Sequence, residues 1–301
     1  MNRVIASLPS PSVSDIAVGP FIIRFYALFI ILGIVLAIIV SALRLQKRGA
    51  KAGIAVDIAI WTVPIAIIGA RFFHVATHLN DYFGEGKNPL SVFFVWEGGL
   101  AIYGGLLFGA LGAYIGARQA GIKFFAYADA LVPGLLLAQA VGRWGNYFNN
   151  ELFGQPTSLP WGLEIQQSNP AYPVGLPAGE LFHPVFLYES IWSLLGIAVL
   201  LVVEKRFNLQ WGKVFAAYLV YYSLGRVFIE SIRLDPAYVV LGLRTNVWSA
   251  IIGILVGIVL FVYLGRKHTG IEQGIFLPAK PSATSDADFA DEELVAAEAG
   301  K

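Results

Sequence analysis

Apolar residues run along this chain in seven long stretches separated by short polar segments. The stretches are Phe21–Leu43, Ile54–Ala76, Gly99–Ala117, Phe124–Val141, Val185–Val203, Val214–Ile232 and Val247–Leu264. Each meets or approaches the ~20 mostly apolar residues that a helix needs to cross the hydrocarbon core of a bilayer. The third, fourth and sixth are interrupted by glycine or polar residues, and Pro64 and Pro133 fall inside their stretches, where each is expected to kink its helix. The pattern predicts an all-α polytopic membrane protein with seven transmembrane helices.

Charge gives the pattern a direction. Arg44, Lys47, Arg48 and Lys51 lie between the first two stretches, Arg118 and Lys123 between the third and fourth, Lys205, Arg206 and Lys213 between the fifth and sixth, and Arg266 and Lys267 after the seventh. These are alternate connections on one side, which the positive-inside rule makes the cytoplasm. The N-terminus is then outside and the C-terminus inside. On the outer side lie Tyr82–Glu97 and a long segment rich in Pro, Gly, Asn and Trp, from Arg143 to Phe182, expected to form a small extracytoplasmic cap. Residues 1–268 read as the membrane-embedded domain. Residues 269–301, with Asp286, Asp288, Asp291, Glu292 and Glu293 close together, read as a disordered acidic cytoplasmic tail.

Composition narrows the function. Of 301 residues, 57% are hydrophobic and 14% charged, against ~25% charged in an ordinary soluble domain. A net charge of +1 gives no bulk signal for nucleic acid. With no cysteine, the chain has no disulfide, thiolate metal site or cysteine nucleophile. No short apolar core precedes a small-residue cleavage site, so no removable signal peptide is expected. His74 and His78 have the spacing of a zinc helix, but Val75 stands where its glutamate belongs, and no metal or cofactor is expected. Neither a G-x-S-x-G elbow nor a P-loop occurs.

The chemistry concentrates toward the outer side. Gly142-Arg143-Trp144-Gly145-Asn146-Tyr147-Phe148-Asn149-Asn150-Glu151-Leu152-Phe153-Gly154 follows the fourth stretch and combines an arginine, directed amide donors and glycines that admit a close approach. The sixth stretch carries Tyr222, Arg226, Glu230 and Arg233, spaced by four, four and three residues and so on one helical stripe. A charge within a spanning helix costs at least ~2.5–3.5 kcal/mol on insertion scales, which marks such residues as functional candidates. The competing reading makes Glu230 a structural neutraliser of Arg226 and Arg233. Arg24 and Tyr26 begin the first helix, Arg71 lies near the outer end of the second, Tyr103 at the outer start of the third, and His183, Tyr188 and Glu189 lead into the fifth. Paired charges, glycines and prolines also describe a lipid or solute transporter, although no internal repeat is found. A non-catalytic lipid-binding scaffold is the third reading.

These motifs resemble those of the prolipoprotein diacylglyceryl transferase family. Gly142 to Gly154 is similar to its signature G-R-x-G-N-[FY]-x-N-x-E-x-x-G, His183-Pro184 with Leu187-Tyr188-Glu189 to its H-P-x-x-L-Y-E, and Arg226, Glu230 and Arg233 to its R-x-x-x-E-x-x-R, with Tyr26 and Gly69-x-Arg71 matching as well. The resemblance covers about residues 20–265. It implies seven helices in the bacterial plasma membrane and transfer of the diacylglyceryl group of phosphatidylglycerol, toward the outer leaflet, to the cysteine thiol in the signal peptide of a lipoprotein precursor. It further implies that Arg143 and Asn146 hold the headgroup, that Arg226 is the second cation, oriented by Glu230 and Arg233, that Glu151 and Gly154 shape the pocket, and that Tyr26 and His183 line it. The chain departs from the family at Tyr103, where the family commonly has a histidine proposed as the base. A phenol of pKa ~10 is a poor base at neutral pH.

Overall fold

The computed structural model describes residues 7–19 and 21–278, with eight α-helices and six short strands. The helices are α1 (Phe25–Gln46), α2 (Ile54–Thr77), α3 (Leu79–Phe83), α4 (Ile102–Gln119), α5 (Phe124–Phe148), α6 (Val185–Phe207), α7 (Lys213–Ile232) and α8 (Thr245–Lys267). Apart from the single-turn α3, they coincide with the seven apolar stretches. Five of them, α1, α2, α5, α6 and α8, are long and apolar enough to cross a membrane. Glycines dilute α4, and Arg226 and Glu230 dilute α7.

The long helices pack in the order α4–α2–α1–α5–α6–α7–α8, with α5 also touching α4 and α7. Small residues set the closest approaches. At Gly116 an added Cβ would lie 2.9 Å from the backbone of Ile58, so α4 presses against α2 with almost no side chain between them. Across the two ends of the row, Tyr103 on α4 hydrogen-bonds Ser249 on α8 at 2.7 Å.

The ends of the elements depart from the apolar pattern in three places. Phe21–Arg24 is not the start of a helix. It forms β2, paired antiparallel with β1 (Asp15–Val18), and α1 begins at Phe25. At the other extreme, α5 runs on through the glycine-rich motif to Phe148, so Arg143 and Asn146 stand on its last turns. The helix accommodates Asn146 and stops before Asn149 and Asn150, the latter with φ +50°. Pro64 and Pro133 lie within continuous helices. The third departure is the tail. Residues 269–278 are packed, with Ile275 buried, Lys123 N–H donating to the Ile275 carbonyl at 2.8 Å and Leu277 N–H to that of Gly121 at 2.8 Å. Glu272 and Ile275 are the buried residues of this stretch, while Ile271 and Phe276 stay exposed. The acidic cluster 286–293 lies outside the described residues.

Beyond α5 the chain builds a small layer of its own. β3 (Leu163–Glu164) pairs with β4 (Leu181–Phe182), and Phe153, Leu163, Ile165, Tyr172, Phe182 and Phe186 bury one another beneath it. A third hairpin, β5 (Val239–Val240) and β6 (Leu243–Arg244), joins α7 to α8. At the opposite end, Asp129 is buried on α5 and caps α7 from outside that helix, accepting from Gly212 N–H at 2.8 Å and Phe215 N–H at 2.9 Å. Beside it Arg44 grips both carboxylate oxygens of Glu204 at 2.6 and 2.8 Å.

Candidate active site

Where α5 ends, α6 begins and α7 meets α8, four arginines and three carboxylates alternate in one chain of ion pairs. Arg143 on α5 pairs through Nε with Glu189 on α6. The other oxygen of Glu189 takes Arg226 of α7 at 2.7 Å. Arg226 also binds Glu230, one turn further along α7, at 2.5 Å. Glu230 in turn lies 2.8 Å from Nε of Arg244 and accepts Asn246 Nδ2 at 3.0 Å. Arg244 reaches Asp235 at 3.4 Å, and Asp235 binds Arg233 at 2.6 Å. Glu189 and Glu230 are 5% and 1% exposed, so neither carboxylate could stay charged without these partners. Four cations against three anions leave the ion-paired groups with one positive charge.

The arrangement corrects one expectation. Glu230 does not neutralise Arg233. The helix ends at Ile232, and Arg233 takes an extended backbone with ψ 144°, which swings it off the stripe toward Asp235. Arg244 takes its place. Arg244, Asp235 and Asn246 had gone unremarked in the sequence. The available signal was an arginine immediately before the last apolar stretch, on the side where basic residues are scarce.

Glu189 is the pivot, since it holds Arg143 and Arg226 from the two sides of one carboxylate. Arg143 spends Nε on Glu189 and reaches Asn146 only at 3.5 Å, with the Tyr222 hydroxyl within hydrogen-bonding reach of its guanidinium. Tyr222 on α7 and Tyr26 on α1 lie within electrostatic reach of its guanidinium. Tyr26 packs on Gly145, where an added Cβ would sit 2.7 Å from the ring. Glu151 is held by two amides, Asn146 Nδ2 at 2.8 Å and Asn149 Nδ2 at 3.3 Å, and so fixes Asn146 beside Arg143.

Gly154 joins backbones. Its N–H donates to the His183 carbonyl at 2.9 Å, the next N–H donates to Ile232 at 2.8 Å, and an added Cβ would meet the Ile232 carbonyl oxygen at 2.8 Å. It thereby ties the cap to the start of α6 and the end of α7. His183 Nδ1 lies 3.1 Å from the Tyr188 hydroxyl, which also accepts from Trp161 Nε1 at 3.1 Å. This trio adjoins the ion pairs through the chain, Tyr188 preceding Glu189, and through the Gly154 junction.

Two residues stand apart. Arg71 is buried in a shell of backbone carbonyls, those of Ser91 (2.5 Å), Val92 (2.9 Å), Gly98 (2.6 Å) and Gly99 (3.1 Å), with its guanidinium over the Tyr82 ring. It organises the segment leading into α4 and has four of its five N–H donors taken by that segment. Tyr103, 46% exposed, follows that segment, and its partner Ser249 stands on α8 three residues after Asn246, which holds Glu230. The structure thus brings Tyr103 to the network through α8.

The family description that matches this chain is prolipoprotein diacylglyceryl transferase, over residues 13–263. The chain belongs to that family. It is 48% identical over 299 residues to the phosphatidylglycerol–prolipoprotein diacylglyceryl transferase of Leifsonia xyli subsp. xyli, covering 96% of this chain and 90% of the relative. It is 46% identical over 267 residues to that of Paenarthrobacter aurescens, covering 86% and 84%, and 44% identical over 272 residues to the second such enzyme of Streptomyces coelicolor, covering 89% and 84%. The three motifs that carried the resemblance contribute Arg143, Glu189, Arg226, Glu230 and Arg233 to the ion-pair chain, so motifs far apart in the family's sequence pattern meet in one place here.

Proposed function

We propose that this chain transfers the diacylglyceryl group of phosphatidylglycerol to the lipobox cysteine thiol of prolipoproteins. The observation that carries the proposal is the pair Arg143 and Arg226 held on a single buried carboxylate, Glu189. The thiol sulfur attacks the glycerol carbon of the diacylglyceryl group, the bond from that carbon to the phosphate oxygen breaks, a thioether forms, and glycerol phosphate leaves. Negative charge grows on the phosphate as that bond breaks. Fixed guanidinium donors stabilise it more in the transition state than in the bound lipid, which is the condition for raising turnover. Glu189 and Glu230 hold the forks in place beforehand. Asn146, fixed by Glu151, adds a directed contact for the headgroup. A phosphate between the arginines adds its charge to a network with one positive charge in excess.

The thiol proton passes to water, to the departing phosphate, or through a nearby group such as His183 or a carboxylate, without a resident histidine at position 103. Its pKa of ~8.5 in solution falls beside guanidinium groups, so Tyr103 serves as a hydrogen-bonding group that orients thiol or headgroup. The chain crosses the plasma membrane seven times, with the network toward the outer leaflet and the basic connections inside. The alternation of Lys and Arg between helices supports that orientation. Two helices too polar to span by composition alone are those that line the site or pack by glycine, which favours shielding within the bundle.

Incubation of the purified protein with glycerol-labelled phosphatidylglycerol and a lipobox peptide tests the reading. Labelled diacylglyceryl peptide and released glycerol phosphate are the expected products. Lipid bound without product would make the protein a scaffold, and lipid moved across vesicles without product a transporter.

A further inference from the structure

Two cavities open at the end of the helices opposite the arginine network. One, of about 270 Å³, has Arg118 and Lys123 on one wall and Trp211 and His268 on another. The second, of about 490 Å³, adjoins it and shares Lys123 and Trp211. Trp211 has φ +65°, a backbone conformation that bulky residues rarely adopt. Its indole stacks on His268 with centroids 4.4 Å apart and an interplanar angle of 4°, and Lys123 Nζ stands 5.0 Å above the ring.

Charge in this cavity is unbalanced. Its acid, Glu272, is already bound by Arg48, with Lys123 3.9 Å away. Arg118 makes no ion pair among the described residues and lies over the Tyr114 ring. Arg118 also heads a stripe on α4. Going back along the helix at intervals of four, three, four and four come Tyr114, Leu111, Leu107 and Tyr103, all exposed, with Leu107 at 67% and Leu111 at 50%. Tyr103, at the outer end of this stripe, bonds Ser249, which puts that end of the stripe at the seam between α4 and α8.

A basic, aromatic-walled head cavity at the end of an apolar stripe has the chemistry of an acidic phospholipid site. We propose that one acidic phospholipid of the leaflet opposite the reaction site sits here, its phosphate on Arg118 and Lys123 and an acyl chain along Leu111 and Leu107. This lipid is a resident of the seam, not a substrate. The proposal rests on the chain lying in a bilayer and is independent of the roles given to Arg143 and Arg226.

Native mass spectrometry of the delipidated full chain in detergent, titrated with dioleoyl phosphatidic acid, tests it. The expected result is one tightly bound phosphatidic acid that survives in Arg143→Gln. Arg118→Gln should raise its apparent Kd about tenfold or more through the lost charge-assisted bonds. Leu111→Glu, which sets a like charge under the chain, should do the same by a separate route. Arg118 carries no ion pair among the described residues, so the fold is expected to survive its replacement. Equal binding of phosphatidylcholine would overturn the head site, and equal occupancy by inorganic phosphate would reduce it to a free-anion site. Loss of the bound lipid in Arg143→Gln, or wild-type affinity in both Arg118→Gln and Leu111→Glu, would refute the proposal outright. The transfer activity of Arg143→Gln, measured separately, tests the catalytic reading.

Discussion

Replacing Glu189 by glutamine removes one charge from between two arginines while preserving its shape. Glu189 is buried and bonds Arg143 and Arg226 at once, whereas those arginines are 23% and 16% exposed. A hydrogen bond to a charged group contributes ~1.5–3 kcal/mol, and each guanidinium loses one such restraint. Partial solvent access moderates the electrostatic cost, and we take the lower end for each, which gives about 3 kcal/mol or roughly a hundredfold in rate. The sign of the effect on binding is opposite. The site gains a net positive charge, so phosphatidylglycerol should bind at least as well, and the loss should fall on kcat while KM stays level or drops. The assay is transfer of labelled lipid to a lipobox peptide, per molecule of protein that elutes as a folded monodisperse species. Crossing Glu189→Gln with Arg143→Lys, which keeps part of the transfer, should show strong non-additivity, since the two groups act as a unit. A Glu189→Gln enzyme within threefold of wild type, or a double variant whose losses simply multiply, would show that Glu189 merely packs and does not aim the arginines.

Four further outcomes follow from the same geometry. Arg143→Gln and Arg226→Gln should each abolish transfer with the fold retained, and lysine at either position should restore only part of it, because a point charge lacks the planar fork; near-wild-type transfer by both glutamine variants would remove the clamp. Tyr103→Phe should slow transfer about tenfold to a hundredfold through one lost hydrogen bond to a charged group, and Tyr103→His should keep substantial activity; complete loss in Tyr103→Phe, with a basic limb in the wild-type pH profile that the histidine variant moves toward neutrality, would make the phenol the base. Asp129→Ala should lower stability by about 1–2 kcal/mol through the lost cap of α7, read as an earlier thermal transition in detergent, with activity per folded molecule unchanged. In this cysteine-free chain, Val174→Cys should react with an impermeant reagent in intact cells and Lys51→Cys should not; labelling of Lys51→Cys alone would invert the topology.

The helices were legible because their signal is cumulative. Twenty apolar residues in a row outweigh any single position, and all seven long helices lie where the stretches lie. Their ends were not, because the same residues serve two structures. Phe21, Ile22 and Ile23 suit a strand as well as a helix, and the pairing with Asp15–Val18 decides it. The ion-pair chain was half legible. Arg143, Glu189, Arg226 and Glu230 stand out as charges in apolar or motif contexts. Arg233 leaves the helical stripe because α7 ends one residue before it. Arg244 was missed because a hairpin, absent from any periodicity, returns it to Glu230. Arg71 shows the converse limit. A buried arginine near the outer end of a helix has the same sequence whether its donors face a substrate or, as here, four carbonyls of the following segment.

The junction at Gly154 has a consequence for the birth of the molecule. Its neighbour Gln155 gives its N–H to Ile232, 77 positions later in the chain. A ribosome releases residue 155 several seconds before residue 232 at ~5–20 residues per second. During that interval the cap has been made but has nothing to close against, and Glu189 has met Arg143 without Arg226. Arg226 and Ile232 are delivered by the same helix, so the second arginine arrives with the segment that shuts the cap. The nascent chain therefore holds Arg143 and Glu189 before it holds Arg226, and the pair of arginines on Glu189 is complete only once α7 docks.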